Sequence, residues 1–317
     1  MYKDYFKLAR NPFNLTPDPL CFVPTKRHNE ALAALYHGVR QHKGFVVLTG
    51  EVGTGKTLLL RCLLDLLKES KDIAYAYLFN GRLSSTEFLQ YILSDFGLPA
   101  SGKSKYELLL DLGRFLVARG SKRMTTVLIV DEAHHLSADI LEEVRLLSNL
   151  ETTDDKLLQI VLVGQPELEE KLDSVDLRQL KQRIAVRTQL GALDAEETSR
   201  YIEQRLQIAG EQPHDSPLFP VETVVAVHRF SRGLPRLINT ICENSLIAAY
   251  AKRLPAVTPE IVGYVAKEFR LEVVSPSIAE ADEPGSQANA KRALNILLDL
   301  FAALEDKAQP TETQIRL

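Results

Sequence analysis

Long apolar stretches are absent from this sequence: no run of about 18 apolar residues occurs in the chain, so no segment reads as a membrane-spanning helix. The first residues, Met1-Tyr2-Lys3-Asp4-Tyr5-Phe6, lack the apolar core of a secretory signal. Cysteine is scarce as well. Its three copies, Cys21, Cys62 and Cys242, are far apart, show no metal-ligand spacing and cannot all pair. That pattern offers no zinc signature and points to a reducing, cytoplasmic compartment, with any membrane association peripheral and through a partner. Nor is there a strong charge of one sign. A formal net charge of −4 gives no global basic field, so binding to nucleic acid would need a local patch.

What is present is ordinary globular material. Hydrophobic residues at 45% and charged residues at 25% allow a large core. A length of 317 residues leaves room for about two domains.

One stretch carries most of the chemistry. Gly50-Glu51-Val52-Gly53-Thr54-Gly55-Lys56-Thr57 lies between the buried-strand run Phe45-Val46-Val47-Leu48 and a helical run beginning at Leu58. Glycines at 50, 53 and 55 let the backbone bring its N–H groups close to phosphate oxygens, and the following helix N-terminus adds positive potential. Lys56 would sit against the β- and γ-phosphates of ATP, and the Thr57 hydroxyl would ligate Mg²⁺. A second constellation lies downstream. Thr126-Val127-Leu128-Ile129-Val130 is another buried-strand run, ending in Asp131 and Glu132. At that edge of a parallel sheet Asp131 would hold the Mg²⁺ shell, and Glu132 would orient or deprotonate the attacking water.

Strands are also expected at 73–79, 158–163 and 184–189, with helices at 26–42, 86–96, 105–119 and 136–150. The alternation argues a parallel sheet covered on both faces. From Asp194 the periodicity is helical only, over 196–209, 221–230, 234–252 and 258–269, with Thr258-Pro259 reading as an N-cap and a proline in the first turn. The expected division is therefore a prolyl-rich extension and flanking helix over 1–43, placed to form the adenine side of the site, an α/β P-loop ATPase domain over 44–192 and a smaller all-helical lid over 193–272. A polar, Ser/Pro/Gly-rich linker over 273–290 then tethers an amphipathic C-terminal helix and tail over 291–317. That helix lacks a strong basic face, which favours self-packing or a protein partner over a lipid surface.

The Gly50-x4-Gly55-Lys56-Thr57 and Asp131-Glu132 pair followed by a helical lid resembles the AAA+ ATPases. Further landmarks are Asn11-Pro12-Phe13 with Thr16-Pro17-Asp18-Pro19, Asp131-Glu132-Ala133-His134, Gly164-Gln165-Pro166-Glu167-Leu168 and Gly233-Leu234-Pro235-Arg236. Over about residues 1–270 these resemble the general secretion pathway protein A, or ExeA-type, ATPases. Members of that family are often anchored by a transmembrane segment, carry a periplasmic peptidoglycan-binding domain and assist assembly of a secretion or pilus apparatus. This sequence shows neither the anchor nor that domain.

The resemblance implies further roles. Gln165 looks like sensor 1, a polar group reaching the γ-phosphate and attacking water, with a turn residue before Pro166 as the alternative. Arg236 resembles the sensor 2 arginine of the lid. Arg183 falls where related ATPases present an arginine finger to a neighbouring subunit's nucleotide, with Arg178 and Arg187 as close competitors, and a finger implies an oligomer, ring or filament. Nucleotide contacts would come from Gly50 through Leu58 together with Arg236. His134 and His135 read as helix-start or surface residues.

Three functions follow. The first is an assembly or remodelling ATPase acting on a partner complex. The second resembles the transposition-regulator ATPases of the TnsC and MuB kind, which coat DNA, with Lys103, Lys105, Lys122 and Arg123 as a candidate basic surface. The third is a nucleotide switch with negligible turnover, against which Glu132 speaks.

Overall fold

The computed structural model describes residues 2–14, 22–79, 83–153, 155–210 and 217–271. Thr16 to Pro19, Cys21, the 273–290 linker and the C-terminal helix lie outside the described residues. The described residues fall within one compact unit.

Five parallel strands form the central sheet: β1 (Phe45–Gly50), β2 (Ile73–Leu78), β3 (Thr125–Val130), β4 (Gln159–Gly164) and β5 (Ile184–Leu190). Their order is β2-β3-β4-β1-β5, so β4 is inserted between the strand that feeds the glycine loop and the strand that feeds Asp131. The three inner strands are buried at every position, whereas β5 alternates between half-buried and exposed and β2 is mostly half-buried. Continuous apolar runs are what a strand covered on both faces requires.

Strand periodicity divides the core in two. Val46, Leu48, Val127, Ile129, Val161 and Val163 pack with α2 (Lys26–Arg40) and α3 (Lys56–Lys68). Their sequence neighbours Phe45, Val47, Leu128, Val130, Ile160 and Leu162 point the other way, onto α4 (Ser85–Asp95), α5 (Lys105–Gly120) and α6 (Ala138–Leu147). Capping boxes at Ser84 with Glu87 and Ser104 with Glu107 fix where α4 and α5 begin. Boundaries differ from the sequence expectation by one or two residues except after β3. There the expected helix from Leu136 is preceded by a 3₁₀ turn, Ala133–His135, and α6 starts at Ala138 behind the Ser137 cap. Two further helices, α7 (Glu167–Leu172) and α8 (Arg178–Lys181), and α1 (Tyr2–Tyr5) are too short to show a helical repeat in sequence.

The lid consists of α9 (Ala195–Ile208), α10 (Val221–Ser231), α11 (Pro235–Ala251) and α12 (Pro259–Glu268). Thr258 and Pro259 do begin α12, although the Thr258 side chain makes no capping bond. The N-terminal segment belongs to this layer: Phe6, Leu8 and Phe13 are buried with the lid helices. Tyr2 and Asn11 both donate hydrogen bonds to Glu243 Oε1, at 2.8 and 3.0 Å, and Arg205 Nε donates to the Pro12 carbonyl at 2.6 Å. Sheet and lid meet at Gly233. Its φ of +72° and the 1.9 Å that would separate an added Cβ from the Leu193 carbonyl oxygen leave room for no side chain. The Leu193 N–H donates back to the Gly233 carbonyl at 2.8 Å, locking the β5–α9 junction to the α10–α11 turn.

Candidate active site

The carboxyl ends of β1, β3 and β4 bring together the loop before Lys56, the Asp131-Glu132 pair and Gln165. Sheet-end turns of this kind are where open parallel sheets hold ligands. A cavity of about 330 Å³ opens there, between the sheet and the lid. Of the residues singled out from sequence, Val52, Gly53, Gly55, Lys56, Thr57 and Leu58 line it, with Glu132, Gln165 and Arg236 across from them. Gly50, Glu51 and Thr54 support the loop from outside the cavity lining. The Thr54 hydroxyl donates to the Glu51 carbonyl at 2.8 Å, closing the turn on itself.

Lys56, 7% exposed, donates to the Gly50 carbonyl at 2.7 Å and to the Glu51 carbonyl at 3.0 Å. Burial pushes its ammonium pKa down, against the pull of Glu132 and Asp131. Asp131 lies behind the cavity, 5% exposed. Its two oxygens accept from the Glu132 N–H at 2.9 Å and the Tyr77 hydroxyl at 2.8 Å. Burial pushes its carboxyl pKa up, an effect those two hydrogen bonds oppose. The same burial raises the Tyr77 phenol, with Asp131 adding to it.

Glu132 is the strained member. Its φ of 52° is left-handed, a conformation costing a non-glycine residue about 1–2 kcal/mol. The turn it makes starts the 3₁₀ segment, and its Oε2 is buried without a hydrogen-bond partner. Unsatisfied carboxylate oxygens are uncommon and fit a group that meets a ligand or water.

The lid supplies the opposite wall. Tyr201 and Arg205 sit one turn apart on α9, and Pro235, Arg236 and Asn239 form the first turns of α11. The Tyr201 hydroxyl donates to Asn239 Oδ1 at 3.0 Å, and the Arg205 guanidinium lies 5.8 Å from the Tyr201 ring centroid. Of these, only Pro235 and Arg236 belong to a sequence motif. A weak signal was available: Arg205 is a charged residue on the apolar face of an amphipathic helix, a place charges seldom occupy without a structural or binding reason. The Arg236 N–H donates to the Gly53 carbonyl at 3.2 Å, so α11 rests on the loop itself. An added Cβ at Gly53, whose φ is +86°, would stand 2.8 Å from Arg236 Cβ.

The extension and α2 lie beside the loop. Asn14 reaches the cavity, but α2 contributes no lining residue among those described. Instead His28, 5% exposed, braces the loop from below. Its Nε2 is 3.0 Å from the Thr54 carbonyl and its Nδ1 is 2.8 Å from Thr25 Oγ1. A carbonyl only accepts, so Nε2 carries the proton and the neutral ring accepts from Thr25. Burial holds its pKa below the ordinary histidine value.

The three finger candidates, Arg178 and Arg183 before β5 and Arg187 within it, lie outside the cavity lining. Arg183 donates to Ser148 Oγ at 2.6 Å and Arg187 pairs with Glu169 at 2.5 Å, whereas Arg178 is exposed and makes no side-chain bond among the described residues. His135 is exposed, as expected. His134 takes the helix-start alternative, within the 3₁₀ turn, and is buried at 8% exposure with its ring against Gln165.

Strand order, glycine loop and paired carboxylates together define an AAA-type P-loop ATPase. Residues 39–172 match the family model described as AAA domain. The fold is shared with Cdc6p from Pyrobaculum aerophilum, at TM-score 0.61 and 20% identity over 81% of this chain and 70% of that one. It is shared too with the Aeropyrum pernix ORC1 protein solved in complex with DNA, at 0.58 and 20% over 83% and 70%. The Thermotoga maritima RuvB Holliday junction branch migration motor matches at 0.53 and 16% over 79% and 73%. Within that class the chain belongs to the general secretion pathway protein A family: it is 45% identical to the Aeromonas hydrophila protein of that name over 253 residues, 80% of this chain. It spans 45% of that relative's length. No helix among the described residues is long and apolar enough to cross a membrane.

Proposed function

We propose that this chain binds ATP with Mg²⁺, hydrolyses it as an oligomer and uses the cycle to assemble or remodel a partner complex, in a setting like the secretion pathway named for its relative. The observation that carries the reading is the convergence of Lys56, Thr57, Glu132, Gln165 and Arg236 on one cavity. In it the loop N–H groups and Lys56 grip the β- and γ-phosphates. The Thr57 hydroxyl and the Asp131 carboxylate are hard oxygen donors suited to Mg²⁺, which when bound neutralises charge on the transferring phosphoryl group. Glu132 orients and deprotonates the attacking water through its carboxylate, whose Oε2 makes no hydrogen bond and lies 3.4 Å from His134 Nδ1. Gln165 and Arg236 approach the terminal phosphate from the sheet and the lid, and Tyr201, Arg205 and Asn239 face the base.

The finger is one of Arg178, Arg183 and Arg187. Arg183 would have to leave Ser148 and Arg187 would have to leave Glu169, while Arg178 gives up no bond to reach a neighbour. Mixing each arginine-to-alanine variant with Lys56→Ala subunits tests the shared site, since a finger and a phosphate loop from different subunits can restore one intact site. Specific activity that does not change with protein concentration, together with no rescue in any mixture, would argue for a monomeric enzyme.

The DNA-coating reading draws less support. Lys103 is bonded to Asp111 at 2.6 Å and Lys105 to Glu143, which leaves Lys122 and Arg123 as the two of the four basic positions with no acidic partner among the described residues. ATP-dependent DNA binding that weakens steeply with salt would restore it. The switch reading fails if Glu132→Gln lowers phosphate release below the wild-type rate.

A further inference from the structure

Gln165 follows β4 and His134 follows the adjacent β3, and two close contacts join them. The Gln165 backbone nitrogen lies 3.3 Å from His134 Nδ1, and the atom assigned as Gln165 Nε2 lies 2.9 Å from His134 Nε2. Taken literally, both ring nitrogens would accept. A neutral imidazole has one acceptor and a charged one has none, so the literal assignment is not chemically available. The backbone N–H has no choice but to donate. Glu132 Oε2 also lies 3.4 Å from Nδ1 but outside hydrogen-bond geometry, so Nδ1 accepts from the backbone N–H, and Nε2 carries the proton and donates.

An acceptor must then face Nε2, which turns the amide of Gln165 so that Oε1 meets the ring. Amide oxygen and nitrogen are assigned from just such networks. The NH₂ group is left on the side away from His134, and Gln165 lines the cavity. The ring itself does not line it. It is held by burial, by stacking on His135 at 4.0 Å between centroids and by the Lys171 ammonium on its backbone carbonyl.

We propose that His134 is a positioning residue: its Nε2–H fixes the Gln165 amide so that the cavity, and the terminal phosphate in it, meets a hydrogen-bond donor rather than a carbonyl. This rests on the reading of Gln165 as a phosphate-facing group. Without the histidine the amide can rotate, and one of its two orientations sets a carbonyl oxygen against an anion.

The test is ATP turnover and ATP binding by the full chain in five variants, with folding checked by thermal melts. Removing a donor to the developing charge costs about 10²-fold in kcat, which is the expectation for Gln165→Ala. His134→Ala is expected to lose about 10-fold in kcat with KM within about twofold, and the double variant to fall no further than Gln165→Ala, as non-additivity within one network requires. His134→Gln, whose NH₂ can replace the lost donor, regains most of the rate. Gln165→Glu leaves His134 intact, accepts from it and turns a second oxygen to the phosphate, so it loses at least as much as Gln165→Ala even if His134→Ala folds poorly.

Nitrogen NMR of the His134 ring should report the neutral tautomer protonated at Nε2. A ring protonated at Nδ1, losses that multiply in the double variant, or Gln165→Glu turning over like wild type would each overturn the proposal. Full activity in His134→Ala beside an impaired Gln165→Ala would overturn it while sparing the Gln165 reading. Full activity in Gln165→Ala would remove both.

Discussion

The two walls of the nucleotide cleft are made from different material. The wall formed by the sheet consists of turns: the loop before Lys56, the Asp131-Glu132 corner and Gln165, held by backbone contacts and by braces such as His28 and Tyr77. The lid wall consists of side chains on helices, Tyr201 and Arg205 from α9 and Asn239 from α11. Phosphate asks for many N–H donors in a tight curve, which the backbone supplies and glycine permits. A base asks for a shaped, partly apolar slot, which only side chains supply. The difference predicts that lesions in the sheet wall act on turnover and phosphate grip, and that lesions at Tyr201, Arg205 and Asn239 act on affinity, with Arg236 as the lid residue that also bears on the terminal phosphate.

The largest expected effect is in the sheet wall. Glu132→Gln should lower kcat by about 10²- to 10⁴-fold, measured as phosphate release under saturating ATP, while fluorescent-nucleotide binding stays near wild type. Next comes Lys56→Ala, expected to weaken ATP binding by about 10- to 100-fold in calorimetry, the worth of hydrogen bonds to a charged group. Binding of undiminished strength in that variant would break the comparison outright. Asn239→Ala sharpens it from the other side. KM for ATP should rise by about 3- to 10-fold with kcat unchanged, the cost of one neutral hydrogen bond. A loss in kcat there would mean that Asn239 also shapes the transition state.

The smallest effect concerns the brace. His28 is held neutral by burial, so the unfolded chain takes up a proton more readily than the folded one. Its contribution is complete above the ordinary histidine value of 6.5 and is lost as pH falls below it. His28→Gln, which can still donate to the Thr54 carbonyl, should flatten the acid side of the Tm profile by about 2 to 4 °C, the equivalent of about 1 kcal/mol at this chain size. Parallel profiles for the two proteins would show that the ring does not titrate on unfolding.

What could be read before the structure follows the same division. The glycine spacing from Gly50 to Gly55, the carboxylates at 131 and 132 and the helical repeat after Asp194 were legible, because local rules govern loops, buried strands and amphipathic helices. Apart from Pro235 and Arg236, the lid wall was not. Tyr201 and Asn239 are 38 residues apart in sequence, and their bond exists only once α9 packs beside α11. The same reason hid the burial of His134 against Gln165 and the brace that His28 of α2 forms under the loop. Short helices such as α8 carry too few residues for any period to emerge.

The single bond from the Arg236 N–H to the Gly53 carbonyl has a mechanical meaning. It makes α11 a lever whose tip is clamped to the cradle, so a swing of the four-helix layer cannot leave the cradle's shape unchanged. If the loop grips phosphate as proposed, a pull on α11 would be expected to reach that grip, and a change in the loop to reach the far end of the lever.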